Sequence, residues 1–163
     1  LKSEHIVVAI FQETPLVFSR IAGLFRRRGF HIKSLTIGSS EKKGFSRMTI
    51  VIDGTKTDTE QVIKQLYKVI EVIKVTDISF DHTVVRELAL VKIVASKQTR
   101  SEIMQMVDIF RAKIVDVGPD TLVVEITGDS KKIDSFLDLV KDFGIKEVSR
   151  TGVTAMSRGP KAD

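Results

Sequence analysis

The sequence predicts an α+β fold in which one order of elements, β-α-β-β-α-β, occurs twice in tandem. Short β-rich apolar runs alternate with helical patterns, and glycine, proline and polar clusters separate them. The second half repeats the order of the first after about 80 residues. A chain of 163 residues accommodates two such small modules, each an antiparallel sheet with two helices on one face. The reading places the first module at 1–80, a linker at 81–86 within the polar stretch Phe80–Arg86, and the second module with its tail at 87–163. The tail after Thr151, with Arg158-Gly159-Pro160, is expected to be weakly structured.

His5–Phe11 is near-continuously apolar and reads as a central strand. Thr14-Pro15 then supplies an N-cap followed by proline at the first helical position, where a missing N–H costs no hydrogen bond. Phe18, Ile21, Ala22 and Phe25 share one face of the helix that follows, and Gly29 suits its left-handed end. Strands at Ile32–Ser39 and Phe45–Asp53 flank the polar run 40–44. The capping box Thr57-x-x-Glu60 opens a helix bearing Ile63, Leu66, Tyr67 and Ile70, and a strand at Val72–Ile78 closes the unit.

The second module begins with a strand at Glu87–Ala95. A second capping box, Thr99-x-x-Glu102, precedes a helix carrying Ile103, Met106, Val107 and Phe110. Strands Lys113–Val117 and Thr121–Thr127 surround the turn Gly118-Pro119-Asp120. A helix with Ile133, Phe136, Leu137 and Val140 ends near Gly144, and Ile145–Arg150 is the last strand. Modules this small bury little core alone, and the free face of each sheet needs cover, so a dimer is expected.

Composition narrows the chemistry. With no cysteine, disulfides, thiolate metal sites and cysteine nucleophiles are excluded. His5, His31 and His82 lack metal-ligand spacing; His5 and His82 read as surface residues flanking strands. Gly23 and Gly29 do not form a phosphate loop, Ser19 has no evident base, and Glu41, Asp53, Asp58 and Asp116 show no catalytic pairing. No catalytic or metal-binding residue is therefore assigned. No apolar run approaches the roughly 20 residues that cross a bilayer, so no membrane association is expected. A net charge of +5 suits either an acidic partner or a plain solvated surface. Arg26-Arg27-Arg28 complements a helix C-terminus; without stacking aromatics it does not argue for nucleic acid.

Several blocks carry a recognisable family pattern. They are Ser19-Arg20-Ile21-Ala22-Gly23-Leu24-Phe25, Arg28-Gly29-Phe30, Ser34-Leu35-Thr36, Ser46-Arg47-Met48-Thr49-Ile50, and Lys64-Gln65-Leu66-Tyr67-Lys68. Further blocks are Val75-Thr76, Arg86-Glu87-Leu88-Ala89-Leu90-Val91-Lys92, Ile109–Val117 and Arg150-Thr151-Gly152. Together these blocks resemble the small regulatory subunits of acetolactate synthase, also called acetohydroxyacid synthase, and the resemblance spans nearly the whole chain. It implies two ferredoxin-like modules, the first of the ACT type, in a homodimer that binds and activates the catalytic large subunit in valine, leucine and isoleucine biosynthesis. Thiamine diphosphate, magnesium and FAD are then implied for the catalytic partner, and none for this chain.

The family's effector site uses an Asn and, three residues later, a Gly after the first strand, with an Asn opening the next strand across the dimer. Here those positions hold Glu13, Leu16 and His31. The candidate effector-binding set is Glu13, Leu16, Val17, His31, Ile32 and Ile37, a degenerate version in which branched-chain amino-acid feedback is lost or altered. A purely structural reading has Glu13 complement the helix start and Leu16 add burial against a neighbouring helix. Arg26, Arg27, Arg28, Arg47, Arg150 and Arg158 are the candidate partner contacts. Two alternatives stay open: a stand-alone ACT-type amino-acid sensor for another enzyme, and a nucleic-acid-binding ferredoxin-like module. A cytoplasmic location is expected, or a plastid or other organelle if a targeting segment was removed.

Overall fold

The computed structural model describes residues 4–80 and 82–159. The chain divides into two compact units, the first comprising residues up to Val84 together with those from Val153 onward, the second Val85–Gly152.

The first unit follows the predicted order: β1 (Glu4–Gln12), α1 (Val17–Arg28), β2 (Ile32–Ser39), β3 (Phe45–Asp53), α2 (Thr59–Leu66) and β4 (Val72–Asp77). Its antiparallel sheet runs β2-β3-β1-β4, leaving β2 and β4 at the edges. Period-two patterning puts Val7, Ala9, Phe11, Met48, Ile50 and Ile52 on the helix side, where they pack with Val17, Ile21, Val62 and Leu66. Gly29 ends α1 at φ 63°, the left-handed cap its position predicts.

The start of each of the first three helices departs from expectation. α1 begins two residues after Pro15, and Leu16 rather than Thr14 stands at its cap; the Thr14 hydroxyl donates to Glu71 Oε1 at 3.3 Å. Asp58, not Thr57, caps α2 by accepting from Glu60 N–H at 2.9 Å, while Thr57 Oγ1 accepts from His31 N–H at 2.8 Å. At α3 (Arg100–Ile109) the Thr99 side chain caps nothing and contacts Ser96, whose hydroxyl accepts from Thr99 N–H. Asp58→Ala is therefore expected to cost about 1 kcal/mol and Glu60→Ala about 0.5 kcal/mol or less, read by chemical denaturation. Equal costs would restore the capping box.

The second unit contains β5 (Thr83–Val94, whose first two residues belong to the first unit), α3, β6 (Lys113–Val117), β7 (Thr121–Gly128), α4 (Ser130–Val140), a 3₁₀ turn at Lys141–Phe143 and β8 (Ile145–Arg150). Its strands run β6-β7-β5-β8, the same order as the first sheet. Ala89, Val91, Ile93, Leu122, Val124 and Ile126 meet Ile103, Val107, Ile133, Phe136 and Val140 in its core. Asp129 caps α4 by accepting from Lys132 N–H at 2.8 Å.

Two boundaries need correction. β5 already starts at Thr83, so of the described residues in 81–86 only His82 lies outside a strand. The described part of the tail is also ordered: Thr154–Ser157 forms β9, and this segment belongs with the first unit rather than the second. Val153 N–H donates to Ser34 Oγ at 2.8 Å, Arg47 Nη2 donates to the Ala155 carbonyl at 2.9 Å, and Arg158 N–H donates to the His82 carbonyl at 2.6 Å. Ser34 and Arg47 lie on the sheet face away from the helices, where Val8, Thr49 and Val51 are also buried. The expected cover for that face thus includes the chain's own return segment. Pro160 lies outside the described residues.

Candidate functional site

The turn between β1 and α1 is built around two carboxylates. Glu13 N–H donates to the Gly44 carbonyl at 3.0 Å, and its Oε1 accepts from the Ser46 hydroxyl at 2.6 Å. The side chain therefore turns toward the β3 edge of the turn rather than completing the helix start. Glu71, just before β4, is buried; its Oε1 accepts from Arg20 Nη1 and Thr14 Oγ1, while Oε2 has no hydrogen-bond partner among the described residues. Leu16 is 58% exposed, so it adds no burial against a neighbouring helix.

The remaining candidate effector residues separate. Val17 is fully buried in the core and offers nothing to a ligand, and Ile32 is half-buried against the same core. His31 is exposed before β2; its N–H serves Thr57 and its carbonyl accepts from Asp53 N–H. Ile37 lies partly exposed on β2, opposite Met48. Ser46 and Asp53 mark the two ends of β3, so Glu13 and His31 lie roughly 20 Å apart along one sheet at about 3.3 Å per residue. Within one chain they do not converge.

The partner-contact candidates also divide. Arg26, Arg27 and Arg28 are exposed in the last turn of α1, where positive charge complements the carbonyl end of the helix. Arg158 is exposed, with its backbone engaged. Arg47 is half-buried and committed to Ala155. Arg150 donates through Nε to Glu87 Oε2 at 2.5 Å and through Nη1 to Asp134 Oδ1 at 2.6 Å. Burial lowers its pKa, but the hydrogen bonds to Glu87 and Asp134 outweigh that effect and hold the guanidinium above its ordinary range.

Sequence reasoning passed over a cleft between α1 and the α2–β4 turn. Its volume is about 630 Å³, and Arg20, Arg27, Arg28 and Lys68 line it beside Leu16 and Ile70. The i, i+7, i+8 spacing of Arg20, Arg27 and Arg28 on α1 is a signal that could have exposed it. Among the described residues no group of His, Asp and Glu is arranged to hold a metal ion, and no helix is long and apolar enough to cross a membrane.

Residues 9–74 match the family profile described as an AHAS small subunit-like ACT domain, which defines the first unit as an ACT module in a tandem ferredoxin-like protein. Residues 86–159 match the profile for the small subunit of acetolactate synthase. A probable acetolactate synthase small subunit of Methanothermobacter thermautotrophicus is 55% identical, covering 96% of this chain and 94% of that protein. One from Archaeoglobus fulgidus is 49% identical over 97% of this chain and 99% of its own length. The crystal structure of an acetolactate synthase small subunit from Thermotoga maritima superimposes with a TM-score of 0.88 at 40% identity, covering 97% of this chain and 99% of that one. The chain belongs to the acetolactate synthase small-subunit family.

Proposed function

We propose that this chain is the non-catalytic regulatory subunit of an acetolactate synthase, and that it binds the catalytic subunit and raises its activity. The observation that carries the reading is likeness to small subunits along both units rather than in one module alone. On this reading thiamine diphosphate, magnesium and FAD reside on the catalytic partner, the pathway is that of valine, leucine and isoleucine, and the complex is cytoplasmic.

A homodimer is part of the proposal. One side of β2 pairs with β3 and the other is an open edge of its sheet. Antiparallel pairing of two β2 edges would set the His31 end of one copy beside the Ser39 end of the other, close to Ser46 and Glu13, because Ser39 pairs with Ser46. Such an assembly is what would reunite the separated candidate residues.

Feedback by branched-chain amino acids is lost or retuned in this proposal. The Glu13 side chain, turned toward Ser46, puts an acidic group in the β1–α1 turn that a ligand carboxylate would have to approach, and the exposed Leu16 side chain occupies the position at which the family's glycine leaves the backbone open. The test mixes the purified chain with its catalytic subunit and follows acetolactate formation with and without valine. Higher activity on mixing, with no valine inhibition at low-millimolar concentration, is expected. Absence of both binding and activation would remove the regulatory role; strong valine inhibition would remove only the altered-pocket reading.

A further inference from the structure

Resting on the regulatory reading and deepening it, we propose that the catalytic subunit docks through an acidic segment, with an apolar side chain beside its carboxylates, in the cleft between α1 and the α2–β4 turn. Arg20, Arg27, Arg28 and Lys68 converge there. Glu71, the acid beside Arg20, is buried and already committed to Arg20 and Thr14. Arg27, Arg28 and Lys68 have no carboxylate partner among the described residues. Like charges gathered without an anion repel one another, and an acidic partner converts that repulsion into attraction and guides the encounter.

The lips of the cleft identify the occupant as protein. Leu16, at the start of α1, is 58% exposed and Ile70, in the α2–β4 turn, 84%, so both elements that line the cleft carry an exposed apolar side chain as well as cations. Exposed apolar side chains next to unpaired arginines have the composition of interface anchors, which gain their energy when a partner excludes water. A small-molecule pocket would enclose most of its ligand, whereas this cleft is open to solvent. A nucleic-acid backbone would use the cations but leave Leu16 and Ile70 without a role, and the cleft presents no aromatic ring for base stacking.

The site is also held in shape. The Tyr67 hydroxyl accepts from Val75 N–H at 3.0 Å and donates to the Val75 carbonyl at 3.1 Å, pinning the turn that carries Lys68 and Ile70 to β4. On α1, the Arg27 guanidinium lies back over Gly23: a Cβ there would stand 3.1 Å from Arg27 Nη1. Order already present in the free protein is not lost again on binding.

The test measures affinity for the purified catalytic subunit across three variants of the full chain, Arg27→Glu/Arg28→Glu, Ile70→Asp and, as control, Lys131→Glu on α4. All of these side chains are exposed, so circular dichroism and sedimentation should match the unmodified chain. The first two should weaken binding about tenfold or more, and Lys131→Glu, which does not line the cleft, by about twofold at most. Raising salt should weaken the unmodified chain more than Arg27→Glu/Arg28→Glu. If the unmodified chain binds and both cleft variants bind equally well, the docking site is overturned while the regulatory reading stands. If the unmodified chain does not bind at all, both fall. Loss of self-association or of oligonucleotide retention in the cleft variants, with subunit binding intact, assigns the cleft to a second copy or to nucleic acid and likewise overturns the proposal.

Discussion

Replacing Arg150 with methionine is expected to destabilise the second unit by about 3 kcal/mol. The Glu87 side chain is only 5% exposed, and Arg150 supplies its cation at 2.5 Å while also holding Asp134 on α4 at 2.6 Å. Ser130, the first residue of α4, donates its hydroxyl to the other Glu87 oxygen. The cluster thus fastens the start of α4 to the adjoining ends of β5 and β8. Methionine keeps much of the arginine stem's packing but leaves the Glu87 carboxylate buried without its cation. The urea midpoint should fall with an unchanged slope. Glu87→Met combined with Arg150→Met should recover most of the loss, because removing both charges leaves neither one stranded. A stable Arg150→Met chain that fails to bind the catalytic subunit would return Arg150 to the role of a partner contact.

Arg150 illustrates what was legible in the sequence and what was not. β2, β3, β6 and β8 have the bounds that alternation and turn residues predict, because period-two patterning and turn chemistry act within a few residues. Caps also look local, yet the Thr14 and Thr57 hydroxyls found partners at Glu71 and His31, far along the chain. A hydroxyl takes the best neighbour the fold supplies, and the sequence motif does not name that neighbour. α3 ends at Ile109 and the chain turns away at Arg111, φ 51°, without a glycine, so no residue marked its end. The same limit applies to the arginines: side-chain charge was visible, but the internal acceptors waiting for Arg47 and Arg150 were not. Lys68 and Ile70 were overlooked as site residues because they meet Arg20 and Arg27 only after α2 packs beside α1.

The return segment provides the second large effect. Ala155→Asp is expected to cost the first unit about 3 kcal/mol, whereas Met156→Asp should cost about 0.5 kcal/mol or less. Ala155 is 4% exposed and its carbonyl accepts from Arg47, while its neighbour Met156 is 63% exposed. Successive residues of β9 point to opposite sides, so one carboxylate enters the covered sheet face and the other enters water. Arg47 keeps further N–H donors beside the one given to the Ala155 carbonyl and can offset part of the new charge, but the desolvation of a carboxylate on the covered face remains. Hydrogen exchange should show the cost as faster exchange in β1 and β3, with β7 protected as before. Equal effects of the two substitutions would mean that β9 does not cover this face in solution. The expected asymmetry would make residues 153–157 part of the ACT module's fold, so that trimming the chain after the second module would uncover the first.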